Sequence, residues 1–206
     1  MKRIPWLSVA LWITAALWLV ACTTPGGLLK PSQGQPVVSP FLDGRQWVVR
    51  QPVAFTLEQT GETLVVPEGF VTDFASTPKE VWMLLPPTGM YALPALVHDY
   101  LYWTHACTKE QADAVFLMAM NQMGVDPLKQ GLMYNAVALA GLPSWEQNDR
   151  ERKNGLVRII PAKYMDIPRK VDWETYRQEL KDNGVKDGPD AYNSDILGFC
   201  RSMNNL

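Results

Sequence analysis

The sequence predicts an α+β fold, in which a small N-terminal β-hairpin or sheet is followed by a compact three-helix core and a loosely structured C-terminal tail. Three observations carry that expectation. Residues 46–57 and 63–66 are rich in β-branched and aromatic side chains and flank the turn Gln59-Thr60-Gly61-Glu62. Residues 92–141 repeat apolar side chains at helical spacing between helix-start and helix-stop signals. Beyond Pro143 the chain turns polar.

The elements follow in order. Gln46 to Leu57 (QWVVRQPVAFTL) reads as strand, with Pro52 marking a break or an edge because it has no N–H for a ladder. Thr63 to Val66 returns as a second strand, and Pro67-Glu68-Gly69 turns before Phe70-Val71-Thr72. Thr77-Pro78-Lys79-Glu80 supplies a cap, a Pro at the first helical position and a Glu three residues on, which predicts a short helix through Leu85. Ala92 to Trp103 (ALPALVHDYLYW) puts Leu93, Leu96, Val97, Tyr100 and Leu101 at helical spacing. Thr108-Lys109-Glu110-Gln111 is a capping box that opens a helix to Met123, stopped by Gly124. Asp126-Pro127 opens a third, ending near Gly141. Further on, Leu156 to Ile160 is read as a short strand and Asp172 to Asp182 (DWETYRQELKD) as a capped surface helix.

The N-terminus carries an address. Lys2 and Arg3 precede an almost wholly apolar run, Ile4 to Ala21, which closes on Leu19-Val20-Ala21-Cys22. That order is a secretory signal. A Cys directly after Leu-Val-Ala resembles a bacterial lipoprotein signal, and the resemblance implies cleavage before Cys22 and acylation of its thiol. The other reading is an uncleaved transmembrane helix, since 18 apolar residues nearly span a bilayer. It ranks second because Thr23-Thr24-Pro25-Gly26-Gly27 holds no basic stop-transfer residue. The expected organisation is a signal over residues 1–21, a tether over 22–39, a core domain over 40–145 and an extension over 146–206 packing on that core. The expected location is the bacterial envelope, at the outer membrane facing the periplasm, with the membrane as partner through Cys22 and any protein partner unidentified. Nineteen basic residues face 21 acidic ones with no basic run, so nucleic acid has no electrostatic footprint here. With Cys22 assigned to lipid, Cys107 and Cys200 form an even pair, read as a disulfide of an oxidising compartment or as two unpaired thiols.

Polar side chains facing inward are the informative ones, because burying them costs free energy unless something compensates. His98 and Tyr102 are four apart and share a helix face, while Asp99 lies about 100° round the helix. Ala95, beside His98, leaves room for a ligand or water. Histidine suits proton transfer near neutral pH, and the competing structural reading is a core-edge His satisfied by a carboxylate or carbonyl. Asp113 shares an apolar stripe with Phe116, Leu117 and Met120. If residues 104–108 turn the chain back antiparallel, Asp113 comes beside His98, where a carboxylate fixes the tautomer and raises basicity. The structural alternative is that Asp113 supports the first turn of its own helix. Asp73, ahead of Ser76-Thr77-Pro78, reads as a turn or cap residue. An oxygen-rich site with Asp73, Asp99 or Asp113 would suit calcium. His105 and Tyr134 are weaker candidates for the same cleft. The chain holds no Gly-rich phosphate loop, no Gly-x-Ser-x-Gly elbow and no paired CxxC, and its two His do not make a His-rich zinc site.

GFVTDFASTP, HDYLY and ADAVF, in that order, resemble an uncharacterised family of small bacterial and phage proteins with G-F-x-T-D-F-A-S-x-P, H-D-x-L-Y and A-D-x-x-F. The match covers about residues 63–142 and implies that Asp73, His98, Asp99, Tyr102 and Asp113 belong to a shared signature, without supplying an activity. A second resemblance is to secreted phospholipases A2, which place His-Asp-x-x-Tyr on one helix and an Asp on its antiparallel neighbour. That template implies His98 as general base for water, Asp113 as its orienting group, Tyr102 as a supporting hydrogen-bond donor and Asp99 as a calcium ligand. The template's paired Cys and Gly-rich calcium loop are absent. The expected function is a lipid-anchored envelope hydrolase using His98, Asp113 and Tyr102 on phospholipid or cell-wall bonds, with calcium on Asp73 or Asp99 as an option. The alternative is a non-catalytic envelope lipoprotein that binds a partner, such as a prophage superinfection-exclusion factor.

Overall fold

The structure, a computed structural model, describes residues 34–74, 89–187 and 194–205. The signal, most of the tether and the helix expected from Thr77 to Leu85 lie outside the described residues. Among the described residues five short strands form two antiparallel sheets followed by six α-helices, a mixed α+β architecture.

In the first sheet β2 (Trp47–Val49) lies between β1 (Val38–Pro40) and β5 (Val71–Thr72), with Val38 opposite Val49 and Val48 opposite Val71. β1 therefore begins inside the segment expected to be tether. The second sheet is the hairpin of β3 (Val53–Thr56) and β4 (Thr63–Val66), with Phe55 opposite Leu64. Residues 46–57, expected as strand with a break or an edge at Pro52, are two strands in different sheets, divided at residues 50–52. Pro52 cannot donate to a ladder, and the β1–β2 register ends just before it, its last bond running from the N–H of Arg50 to Val37 O at 2.8 Å. Gly61 turns the hairpin at φ +72°, a conformation that costs glycine little.

α1 (Ala92–Thr104) is the central helix: every residue of it except Asp99 is buried. Its C-cap, His105, takes the left-handed conformation at φ +52° and donates its N–H to Leu101 O. α2 (Lys109–Gln122) starts at a complete capping box, in which Gln111 N–H donates to Thr108 Oγ1 and Thr108 N–H donates to Gln111 Oε1. It runs back antiparallel to α1: the α1 end reaches α2 through the short 105–108 link, and Met90 at the α1 start lies against Gly124 at the α2 end. Gln122 then ties α2 to the hairpin, donating to Thr56 O and accepting from Glu58 N–H. α3 (Pro127–Ala140) is capped by Asp126, and α4 (Leu142–Lys153) follows after the single residue Gly141.

The segment after Pro143 carries more structure than its polarity suggests. Besides α4 it holds α5 (Trp173–Asp182), capped by Asp172, and α6 (Ser194–Ser202). Residues 156–160, expected as a strand, make a single bridge between Phe70 and Ile159. Ile160 N–H donates to Gly69 O and Val71 N–H to Arg158 O around that bridge, but the N–H groups of Arg158 and Ile159 donate to Asp187 Oδ1 at 2.8 and 2.9 Å, so the pairing extends no further. Gly69 meets this segment at φ +84°, and a Cβ there would strike the Ile160 carbonyl.

Two cores result. The larger joins the hairpin, α1, α2 and the α6 residues Ile196, Phe199 and Cys200. The smaller gathers Phe41, Val48, Val71, Val157, Ile160, Trp173, Tyr176 and Leu180. Cys107 and Cys200 are disulfide-bonded with Cα atoms 5.1 Å apart. Among the described residues no helix is long and apolar enough to cross a membrane.

Candidate active site

The packing of α1 on α2 brings His98, Tyr102 and Asp113 together. His98 Nε2 lies 2.9 Å from Asp113 Oδ1, and Tyr102 OH donates to the same oxygen at 2.7 Å. The other carboxylate oxygen, Oδ2, accepts from Lys109 Nζ at 2.7 Å. Lys109 is one helical turn before Asp113, and its ammonium also reaches Val137 O and Ala138 O at the end of α3, where the helix dipole favours a cation. The network is enclosed: His98 is 4 % and Asp113 3 % exposed. The imidazole is sandwiched between the rings of Tyr102, centroid 4.1 Å away, and Phe116, at 4.8 Å.

These contacts set the charge states. Burial alone would raise the pKa of Asp113, but the hydrogen bonds from His98, Lys109 and Tyr102 outweigh it and hold the carboxyl below its usual range. Burial pushes the His98 pKa down, against the opposing pull of Asp113. Tyr102 is pushed up by burial and by Asp113 and stays a phenol. At neutral pH the group is therefore a neutral imidazole on an ionised carboxylate. An ionised Asp113 accepts only, so the proton sits on His98 Nε2 and the lone pair on Nδ1.

Asp99 faces another way, as its position on α1 requires. Thr72 Oγ1, at the end of β5, donates to Asp99 Oδ2 at 2.5 Å and accepts from the Phe74 N–H at 3.0 Å. Phe74 itself is held at φ +56°. Asp99 and Asp73 share a hydrogen bond, and burial first, then the Asp73 charge, push the Asp99 carboxyl up to about 7. Arg158 opposes this, with its guanidinium 3.9 Å from Asp73 Oδ2. The same side chain bonds Val71 O at 3.0 Å and Asn148 Oδ1 at 2.9 Å. Toward a calcium ion the pair supplies two carboxylates. Among the described residues no cluster of three or more His, Cys, Asp or Glu side chains could hold a metal, whereas calcium takes about six to eight oxygens.

His105 does not join the Asp113 network. Its ring stacks on Trp145 at 3.7 Å and its Nε2 lies 3.1 Å from Trp145 O. Trp145 in turn sets its edge against Tyr102, and Tyr134 packs at the margin of the main core. Three participants were missed from sequence. Lys109 was signalled by its i, i+4 spacing to Asp113. Thr72 and Arg158 had no local signal, since they meet Asp99 and Asp73 only through the tertiary fold.

Residues 47–137 match a family described as a protein of unknown function (DUF1353). That span contains His98, Tyr102, Lys109 and Asp113, together with Thr72, Asp73 and Asp99, but Asn148 and Arg158 follow it. No curated protein and no solved structure matches the chain.

Proposed function

We propose that this chain is an envelope protein held by lipid at Cys22, and that His98 with Asp113 makes it a hydrolase of ester bonds in membrane lipid or cell-wall material. The observation that carries the catalytic reading is the 2.9 Å contact between a neutral, buried imidazole and a carboxylate fixed by two further donors. An inert core histidine needs one acceptor. Here the acceptor is itself locked by Tyr102 and Lys109, the kind of support that presets a proton-transfer group. The Cys107–Cys200 bond supports the address, because such bonds persist in oxidising compartments.

In the proposed reaction His98 Nδ1 removes a proton from water while Nε2–H stays on Asp113. The water oxygen bonds to the acyl carbon, and the resulting imidazolium is stabilised by Asp113. The acyl C–O bond then breaks, and the leaving alkoxide takes the proton back from Nδ1, so water is added across the ester and the enzyme is regenerated. No step passes through calcium.

The test uses purified full-length chain on vesicles of phosphatidylglycerol and phosphatidylethanolamine, following fatty-acid release. His98→Gln should lower turnover by roughly two to four orders of magnitude with an unchanged thermal midpoint. Equal turnover in the variant, or none in the wild type on lipid or cell-wall esters, would sink the hydrolase. The second reading, a non-catalytic envelope protein that binds a partner, is favoured by the depth at which His98 and Asp113 are enclosed. Under that reading His98→Gln leaves partner binding intact.

A further inference from the structure

α3 is unusual in what it leaves uncovered. Only Gln130 and Met133 of its residues are buried. Leu128 is 74 %, Leu132 55 % and Leu139 86 % exposed, and Leu142, the first residue of α4, is 53 % exposed. At about 100° per residue Leu132 and Leu139 fall within about 40° of Leu128, so the three form one stripe along the helix. Exposed single leucines are ordinary, but three on one helix face, interrupted at Asn135, make an apolar patch of the kind that marks an interaction surface.

The charge pattern says what kind. The chain carries 21 acidic residues, yet residues 127–145 contain one Lys and no Asp or Glu. Between the flanking acids Asp126 and Glu146 the stripe itself carries no negative charge to oppose a bilayer. Its position also fits. Lys109 bonds the carbonyls of Val137 and Ala138, and a Cβ on Gly141 would come within 2.6 Å of Tyr102 OH, so the C-terminal end of α3 lies directly over the His98–Asp113 network. From Cys22 to Val38 the chain can span roughly 50 Å, enough for a lipid at Cys22 to leave α3 on the membrane surface.

We propose that Leu128, Leu132, Leu139 and Leu142 seat this face on a phospholipid bilayer and hold the domain there with the His98 centre one helix away from lipid. The docking stands on the exposed stripe. The choice of membrane lipid as substrate rests in addition on the hydrolase reading above.

The full-length chain, in vesicles of phosphatidylethanolamine with a diazirine-bearing phosphatidylglycerol, is irradiated and its adducts mapped by mass spectrometry. Within residues 34–205, adducts should concentrate on Leu128, Leu132, Leu139 and Leu142. Adducts centred elsewhere, no adducts on the domain, or α3-to-α3 crosslinks between copies all overturn the docking, the last in favour of a dimer. The triple variant Leu128→Ser, Leu132→Ser, Leu139→Ser should lose roughly tenfold in turnover on vesicles and keep wild-type turnover on a dispersed short-chain ester. Equal losses on both substrates overturn the orienting role. Intact α3 adducts on a chain whose His98→Gln variant turns over normally would instead count against the hydrolase alone.

Discussion

Asp113 concentrates the chemistry of the site in one carboxylate. It receives an imidazole, a phenol and an ammonium, and only an ionised carboxylate accepts all three well. Asp113→Asn leaves the ammonium of Lys109, whose side chain is 10 % exposed, without its counter-charge. Breaking such a buried pair should cost about 3–5 kcal/mol, read from urea unfolding midpoints, and activity should fall with it. Asp99 offers a test of opposite character. Folded, it keeps its proton up to about pH 7, whereas its ordinary pKa is 3.8. Between those values the folded state binds more protons than the unfolded one, so this group's contribution to stability declines as pH rises. The stability of wild type relative to Asp99→Asn should therefore be higher at pH 4.5 than at 7.5. His98 runs the other way. Its folded pKa lies below 6.5, so stability is lost as pH drops below that value, and turnover by the proposed mechanism should fail only lower still, where the folded imidazole gains its proton.

At the scale of elements, the network depends on how closely α2, α3 and α4 approach. Gly141 is the point of contact, with no room for a methyl group between Val137 O and Tyr102 OH. Gly141→Ala should displace Tyr102 or splay α3 from α4, at about 1–3 kcal/mol, visible as a lower thermal midpoint and reduced turnover. The elements that sequence made legible are those with local signatures. The capping box at Thr108, Asp126-Pro127 and the periodicity of residues 92–103 each report structure within a few residues. They sufficed to bring His98 and Asp113 onto facing helices. α4 escaped because LPSWEQNDRERK has no apolar stripe and buries only Asn148, so no period announces it. The strand read at 156–160 failed for a related reason. Leu156 to Ile160 has strand composition, but the N–H groups of Arg158 and Ile159 are claimed by Asp187, a partner that pattern reading cannot anticipate. Arg158 was invisible in the same way.

On the scale of the whole molecule, the extension after residue 146 is fastened to the core at several points. Asp187 Oδ2 accepts from Trp103 Nε1 at 2.8 Å while its other oxygen holds residues 158 and 159. Arg177 donates to Val157 O, pairs with Glu151 at 2.6 Å and lies over Trp103 and Trp173. The covalent fastening is Cys107–Cys200, which spans 93 residues of sequence. Closing a loop of that length lowers the entropy of the unfolded chain, a stabilisation of roughly 4–5 kcal/mol in the loop-entropy description. The double variant Cys107→Ala, Cys200→Ala should lose most of it in chemical denaturation, with α6 opening first in hydrogen exchange. The bond also orders events in time. Cys200 follows Cys107 by 93 residues and so is made after it, and its sulfur can join Cys107 only where thiols are oxidised. A chain held among reductants would carry α6 as an unlatched appendage, open to proteases, and would reach its resistant form only on oxidation.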